Sequence, residues 1–225
     1  VQVVDAGVPA MGADGNLRWF EARGKDLEPD LVVQFIYGSM VVVPTKWEDL
    51  GVDDEGYLVI KNAPTSLRVR TAAKNSAIVF YGWTLWTRFR PSGEIEGAGR
   101  QMEATPAATA ASDAYFEALR AAVQKAGAAL LVVHFPLSYG IHRQDLARWR
   151  HLGVVDVDQE RATNARLCAT LDARGVPCLN ITPELAAEAA KGKRLYFWLD
   201  IHWTPEGNRV AARAVADHLL RSPQP

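Results

Sequence analysis

Cysteine is almost absent from this chain. Two residues in 225, Cys168 and Cys178, are too few for a disulfide scaffold, and their spacing matches no zinc motif. They are expected as two buried apolar thiols. Long hydrophobic runs are also lacking: the longest, Ala77 to Trp86 (AIVFYGWTLW), is about half of what a membrane-crossing helix requires. Nor is there an excess of one charge, because 25 Lys and Arg stand against 26 Asp and Glu, a formal net charge of −1. Without basic runs, nothing displaces counterions from phosphates, so neither nucleic acid nor an anionic membrane is expected as the main partner. No glycine-rich dinucleotide loop, no phosphate loop and no His/Cys/carboxylate cluster with ligand spacing occurs, so no cofactor and no metal are expected.

What the chain does have is a 48% hydrophobic composition over a length suited to one globular domain, residues 1–225. Three short apolar runs read as buried parallel strands: Val1 to Val4, Leu31 to Tyr37 (LVVQFIY) and Ala129 to Phe135 (ALLVVHF). Val176 to Ile181 is a weaker fourth. Helical patterns alternate with them. Residues 14–27 carry Leu17, Phe20 and Leu27 on one side, and residues 112–126 carry Phe116, Leu119 and Val123. Arg161 to Arg174 is a third helix, stopped by Gly175 and Pro177, and the last begins at the cap Thr204-Pro205-Glu206 and runs to about Arg221. Alternating strands and helices predict an α/β fold, a three-layer α/β/α sandwich on a mostly parallel sheet. Residues 44–111 break the rhythm and read as an insertion. It holds a turn and short strand at Tyr57 to Ile60, a helix from about Ser76 to Phe89, and a flexible connector from Pro91 to Ala111.

The richest chemistry lies in the stretch LDIHWTPEGNRVAA. Asp200 stands two residues before His202, in a loop that enters a capped helix. A carboxylate so placed can fix the tautomer and orientation of the imidazole. The helix N-terminus disfavours imidazolium while Asp200 favours it, which is the balance a general base requires. Trp203 follows, a residue equally suited to stacking on a sugar ring or to anchoring the loop. Ser138 and His142 follow the carboxyl end of the strand Ala129 to Phe135 and are candidates to line a substrate cleft. His134, within that strand, reads as a core histidine.

With those residues in view, LDIHWTPEGNRVAARAVADHL resembles the Asp-x-His block of the SGNH/GDSL hydrolases, serine esterases and acyltransferases on a flavodoxin-like sheet. VVDAGVPAMGADGN, PDLVVQFIYGSM and GVPCLNITPEL are similar to other blocks of that family, in order. The resemblance implies a Ser-His-Asp ester hydrolase or acyl transferase, with His202 as base and Asp200 orienting it. It also implies an oxyanion hole at Ser39 and the backbone N–H near Ala10, and a small-molecule or carbohydrate ester as substrate. Three departures stand out. No Gly-Asp-Ser occurs anywhere, Ser39 stands where the family has Asn, and Ala10 stands where it has Gly. In the family the nucleophile strand lies between the two strands matching Val1–Val4 and Leu31–Tyr37, so the first strand is expected to be missing here. A segment carrying strand, serine and helix is expected ahead of Val1. The alternative is a degenerate domain that binds an acylated or carbohydrate ligand without turning it over. Related bacterial proteins are often exported or anchored in the envelope, which leaves an extracytoplasmic location open, but the chain contains no signal either way and its localisation is unknown from the sequence. Nothing in the sequence fixes an oligomeric state.

Overall fold

A computed structural model of the chain describes residues 2–7, 13–37, 50–52, 58–60, 78, 82, 106–146, 157–198 and 202–221. Within them lie helix α1 (Ala13–Ala22), strand β1 (Leu31–Tyr37), a small pair β2 (Leu50–Val52) and β3 (Leu58–Ile60), and helix α2 (Pro106–Lys125). Strand β4 (Ala129–Phe135), the one-turn helix α3 (Ser138–Ile141), helix α4 (Val157–Ala173), strand β5 (Cys178–Asn180), and helices α5 (Thr182–Ala190) and α6 (Pro205–Arg221) follow.

The sheet order is β1-β4-β5, all parallel. Leu31 pairs with Ala129 and the register continues to Tyr37 opposite Phe135, while Val132 to His134 face Cys178 to Asn180. Strand β4 is central and apolar apart from the buried His134, as suits a strand covered on both faces. Its alternation builds the layers. Leu130 and Val132 enter a core with Phe20 of α1, Phe116, Leu119 and Val123 of α2, and Leu171 of α4. Leu131 and Val133 point the other way, into a core with Leu185 of α5, Leu195, Tyr196, and Ala211 and Ala214 of α6. The period-two switch of side chains therefore separates two helical layers around one sheet, the α/β/α arrangement expected from the sequence.

Helix ends follow local chemistry. At the end of α2 the N–H of Ala128 reaches the carbonyl of Val123 and Gly127 takes a φ of 77°; at the end of α4 Val176 reaches Leu171 and Gly175 takes 74°. Both are left-handed glycine caps. Helix α2 starts at Pro106, six residues before the expected start, inside the stretch read as a connector. Proline at the first position and the alanines after it favour helix there.

Two expectations are corrected. Val1–Val4 was expected as a buried strand, but residues 2–7 form no regular element and Val3 is 85% exposed. A strand exists by virtue of a hydrogen-bonded neighbour, and among the described residues none is offered to this segment. The two cysteines are not free thiols: Cys168 on α4 and Cys178 at the start of β5 form a disulfide, with Cα atoms 5.0 Å apart. The Gly175 turn folds β5 back along α4 and brings the two within bridging reach. In the insertion, β3 confirms the expected short strand and pairs antiparallel with β2, Leu50 facing Ile60. The turn between them and the connector from Pro91 to residue 105 lie outside the described residues, as does the helix from Ser76 to Phe89 except for positions 78 and 82, both helical.

Candidate active site

The loop bearing His202 is fixed at both ends. Tyr196 and Trp203 form an isolated antiparallel bridge, the Phe197 N–H donates to the carbonyl of His202 at 3.0 Å, and the Thr204 N–H donates to the carbonyl of Leu195 at 2.9 Å. On the helix side, the Thr204 hydroxyl oxygen accepts the Gly207 N–H at 3.1 Å and caps α6, as the sequence predicts. The same hydroxyl donates to the carbonyl of Arg194 at 2.9 Å. Gly207 has no substitute here, because a Cβ would overlap the Leu195 carbonyl oxygen and press on the Trp203 Cβ at 3.1 Å. On the sheet side, the buried Tyr196 hydroxyl donates to the carbonyl of Pro136 at 2.5 Å, just past the end of β4. Burial pushes that phenol's pKa well above its ordinary value.

These anchors set His202 over the carboxyl ends of the parallel strands, where open α/β sheets carry their sites. The Trp203 ring lies 4.5 Å from Phe135, the last residue of β4, and 6.3 Å edge-on from Phe35 of β1. Its position beside Tyr196, Phe135 and Phe35 is that of a loop anchor. His202 itself is exposed, two residues ahead of the capping Thr204 and thus next to the positive end of the α6 dipole. Around it Phe35 and Tyr37 are 42% and 48% exposed, and Trp198 is 68% exposed with the Arg194 guanidinium 5.3 Å from its ring centre.

Ser138 and His142 were expected at the wall of a cleft, and both side chains lie in the interior, 1% and 7% exposed. The His142 Nε2 accepts the Leu195 N–H at 3.1 Å, so the neutral ring carries its proton on Nδ1. Burial, and secondarily the Arg194 charge, lower its pKa, with Asp145 opposing. His134 is fully buried, as a core histidine should be. Asp200, Ser39 and Ala10 lie outside the described residues. Sequence reasoning missed Asp145 and Arg194. The Arg194 Nη2 donates to both carboxylate oxygens of Asp145, at 2.9 and 2.7 Å, and its Nε donates to the Tyr196 carbonyl at 2.8 Å. The two residues lie 49 positions apart, and neither is part of a motif.

Among the described residues no cluster of three or more His, Cys, Asp or Glu gathers to hold a metal, and no helix is long and apolar enough to cross a membrane.

A parallel sheet between helical layers, with an Asp-x-His loop capping the helix at its carboxyl edge, defines an SGNH hydrolase-like domain. The family model for the SGNH hydrolase-like domain of the acetyltransferase AlgX matches residues 98–225, more than half of the chain, and the chain belongs to that family. The match takes in α2 through α6 and the whole His202 loop, while α1 and β1 precede it. Comparisons with curated proteins and with solved structures returned no match. Membership places the chain among SGNH-type acyl-transfer and ester-hydrolysis domains.

Proposed function

We propose that the domain transfers or hydrolyses an acyl ester by a Ser-His-Asp mechanism in which His202 is the general base, Asp200 orients it, and the attacking serine comes from a segment outside these 225 residues. The observation that carries this reading is the placement of the His202 loop, braced at both ends over the carboxyl edge of the sheet. There His202 would take the serine proton as the oxygen attacks the ester carbonyl and return it to the leaving alcohol. Ser39, two residues beyond the carboxyl end of β1, and the backbone N–H near Ala10 would receive the oxyanion. Trp203 would border the substrate side of the loop.

The sheet itself supports a serine delivered on a strand. Among the described residues β1 is bonded on one edge only, by β4, and its Phe35 and Tyr37, which pack toward Phe135 of β4, stay half-exposed. A row of unpaired backbone groups beside exposed aromatics is the surface a further parallel strand covers. The Cys168–Cys178 bridge supports an oxidising, extracytoplasmic location, where such bonds persist.

The test is serine-directed fluorophosphonate labelling and acyl-ester turnover by the natural protein with every segment present. His202→Ala is expected to lower kcat by about 10³-fold or more. A protein that neither labels nor turns over an ester, yet still binds the acylated ligand, would leave a binding domain in place of an enzyme.

A further inference from the structure

Beneath the His202 loop lies a buried polar group that the mechanism above does not use. Asp145 ends the short 3-10 turn Arg143–Asp145 that follows α3, and it is only 9% exposed. Its carboxylate holds the Arg194 guanidinium through both oxygens. Three residues earlier, His142 accepts the Leu195 N–H. One small turn beyond β4 thus holds two consecutive residues of the segment leading into the loop. Arg194 also holds the far end, since its carbonyl accepts the Thr204 hydroxyl that caps α6.

We propose that the Asp145–Arg194 pair, with His142, is a positioning device that sets the register of the His202 loop against the end of the sheet. The proposal rests on His202 being the general base. A surface ion pair would add little, but this one is largely out of water, and the guanidinium is held at two places, by Nη2 on the Asp145 carboxylate and by Nε on the Tyr196 carbonyl, which fixes its direction as well as its distance. The chain of bonds runs from Asp145 through Arg194 to Thr204, two residues from His202, and a second runs from His142 through Leu195, whose carbonyl accepts the Thr204 N–H. The sheet's own bonds do not depend on it: β1, β4 and β5 are joined by their ladders, and the α1–α2–α4 core contains none of these residues. Losing the pair should therefore loosen the loop while leaving the sheet intact.

Two variants in the complete protein decide the matter. In Asp145→Asn, amide exchange at Leu195, Phe197 and Thr204 should accelerate about tenfold or more, while exchange at Val132 and along β4 stays as in wild type. Arg194→Lys keeps the charge facing Asp145 but loses the Nε bond to the Tyr196 carbonyl, and should fall between wild type and Asp145→Asn. On an ester that the wild type turns over, kcat should drop about 10- to 100-fold with KM nearly unchanged, because a base displaced by an ångström costs rate more than binding. Unchanged loop exchange overturns the proposal, and so does faster exchange spread evenly over β4. A rise in KM at constant kcat also overturns it. If the wild type shows no turnover, the proposed function fails while the exchange measurement still decides the clamp. Should Asp145→Asn not fold, Arg194→Lys carries both measurements.

Discussion

Gly207→Ala sets two calculable effects of opposite sign against each other. Alanine is the better helix former, worth about 1 kcal/mol over glycine in a helix interior, so α6 alone would gain. The new methyl group, however, would be driven into the Leu195 carbonyl oxygen, with the Leu195 carbonyl carbon and the Trp203 Cβ each at 3.1 Å. Two of those neighbours are backbone atoms of a segment tied by Arg194, His142 and Thr204, and no flexible side-chain tip can give way. Overpacking of a closed site costs about 1–3 kcal/mol, and a backbone obstacle belongs at the upper end. The balance is a net loss of about 2 kcal/mol, which for a domain of this size lowers Tm by about 4–8 °C. Thermal unfolding followed by circular dichroism measures it. Gly127→Ala is the control, since its φ of 77° lies in open space and the cost there is about 1 kcal/mol of backbone strain alone. A Gly207→Ala protein as stable as wild type would refute the reasoning, because the α6–Leu195 approach would then be looser than described. Because the obstructed carbonyl belongs to the segment that braces His202, activity should fall further than stability.

Reduction of Cys168–Cys178 opens a loop of sequence separation 10 and should lower stability by about 3 kcal/mol on the loop-entropy account, read as a fall in Tm with dithiothreitol that Cys168→Ala reproduces. The lowered pKa of His142 makes the unfolded chain the better proton acceptor in acid. Its contribution is therefore fully present above the unfolded value of about 6.5 and is lost as pH falls below that toward the folded value. Urea unfolding between pH 7 and pH 4 should show wild type losing more stability than His142→Gln, and parallel losses in the two would remove His142 from the account.

The parts of the fold legible in the sequence were those written in local chemistry. β1 and β4 fall where their apolar runs place them, and α6 begins at Pro205 behind its threonine cap. The Gly175 stop was equally plain. Pro106 hid inside a run of small residues that reads as linker, since alanine favours helix without supplying a hydrophobic face. Thr182-Pro183-Glu184 repeats the sequence of Thr204-Pro205-Glu206, but its threonine is already the first residue of α5, whose cap position is Ile181 with no side-chain bond, so this nine-residue helix carries no threonine cap to announce it. The disulfide was invisible because spacing along the chain carries no information on how β5 doubles back on α4. In the candidate site, the loop that carries His202 and Trp203 into the capped helix α6 was legible from a short motif, whereas Asp145 and Arg194, 49 positions apart, meet only once the chain has folded. The same motif logic misplaced Ser138 and His142, because following a strand's carboxyl end in sequence does not decide whether a side chain turns outward or in.

The bridge between Tyr196 and Trp203 divides the chain's obligations. On the sheet side of that bridge Leu195 and Tyr196 are fully buried, whereas Phe197, Trp198 and His202 beyond it are exposed. An exposed side chain away from the core contributes little to stability, within about 0.5 kcal/mol, so substitutions at Phe197 and Trp198 should scarcely touch the folding equilibrium. Those two positions are therefore open to variation while the bonds that hold His202 stay as they are. Sequence drift at them can re-shape the surface beside the loop without first having to be compensated in the interior, and a library built at Phe197 and Trp198 would vary that surface on a scaffold of nearly constant stability.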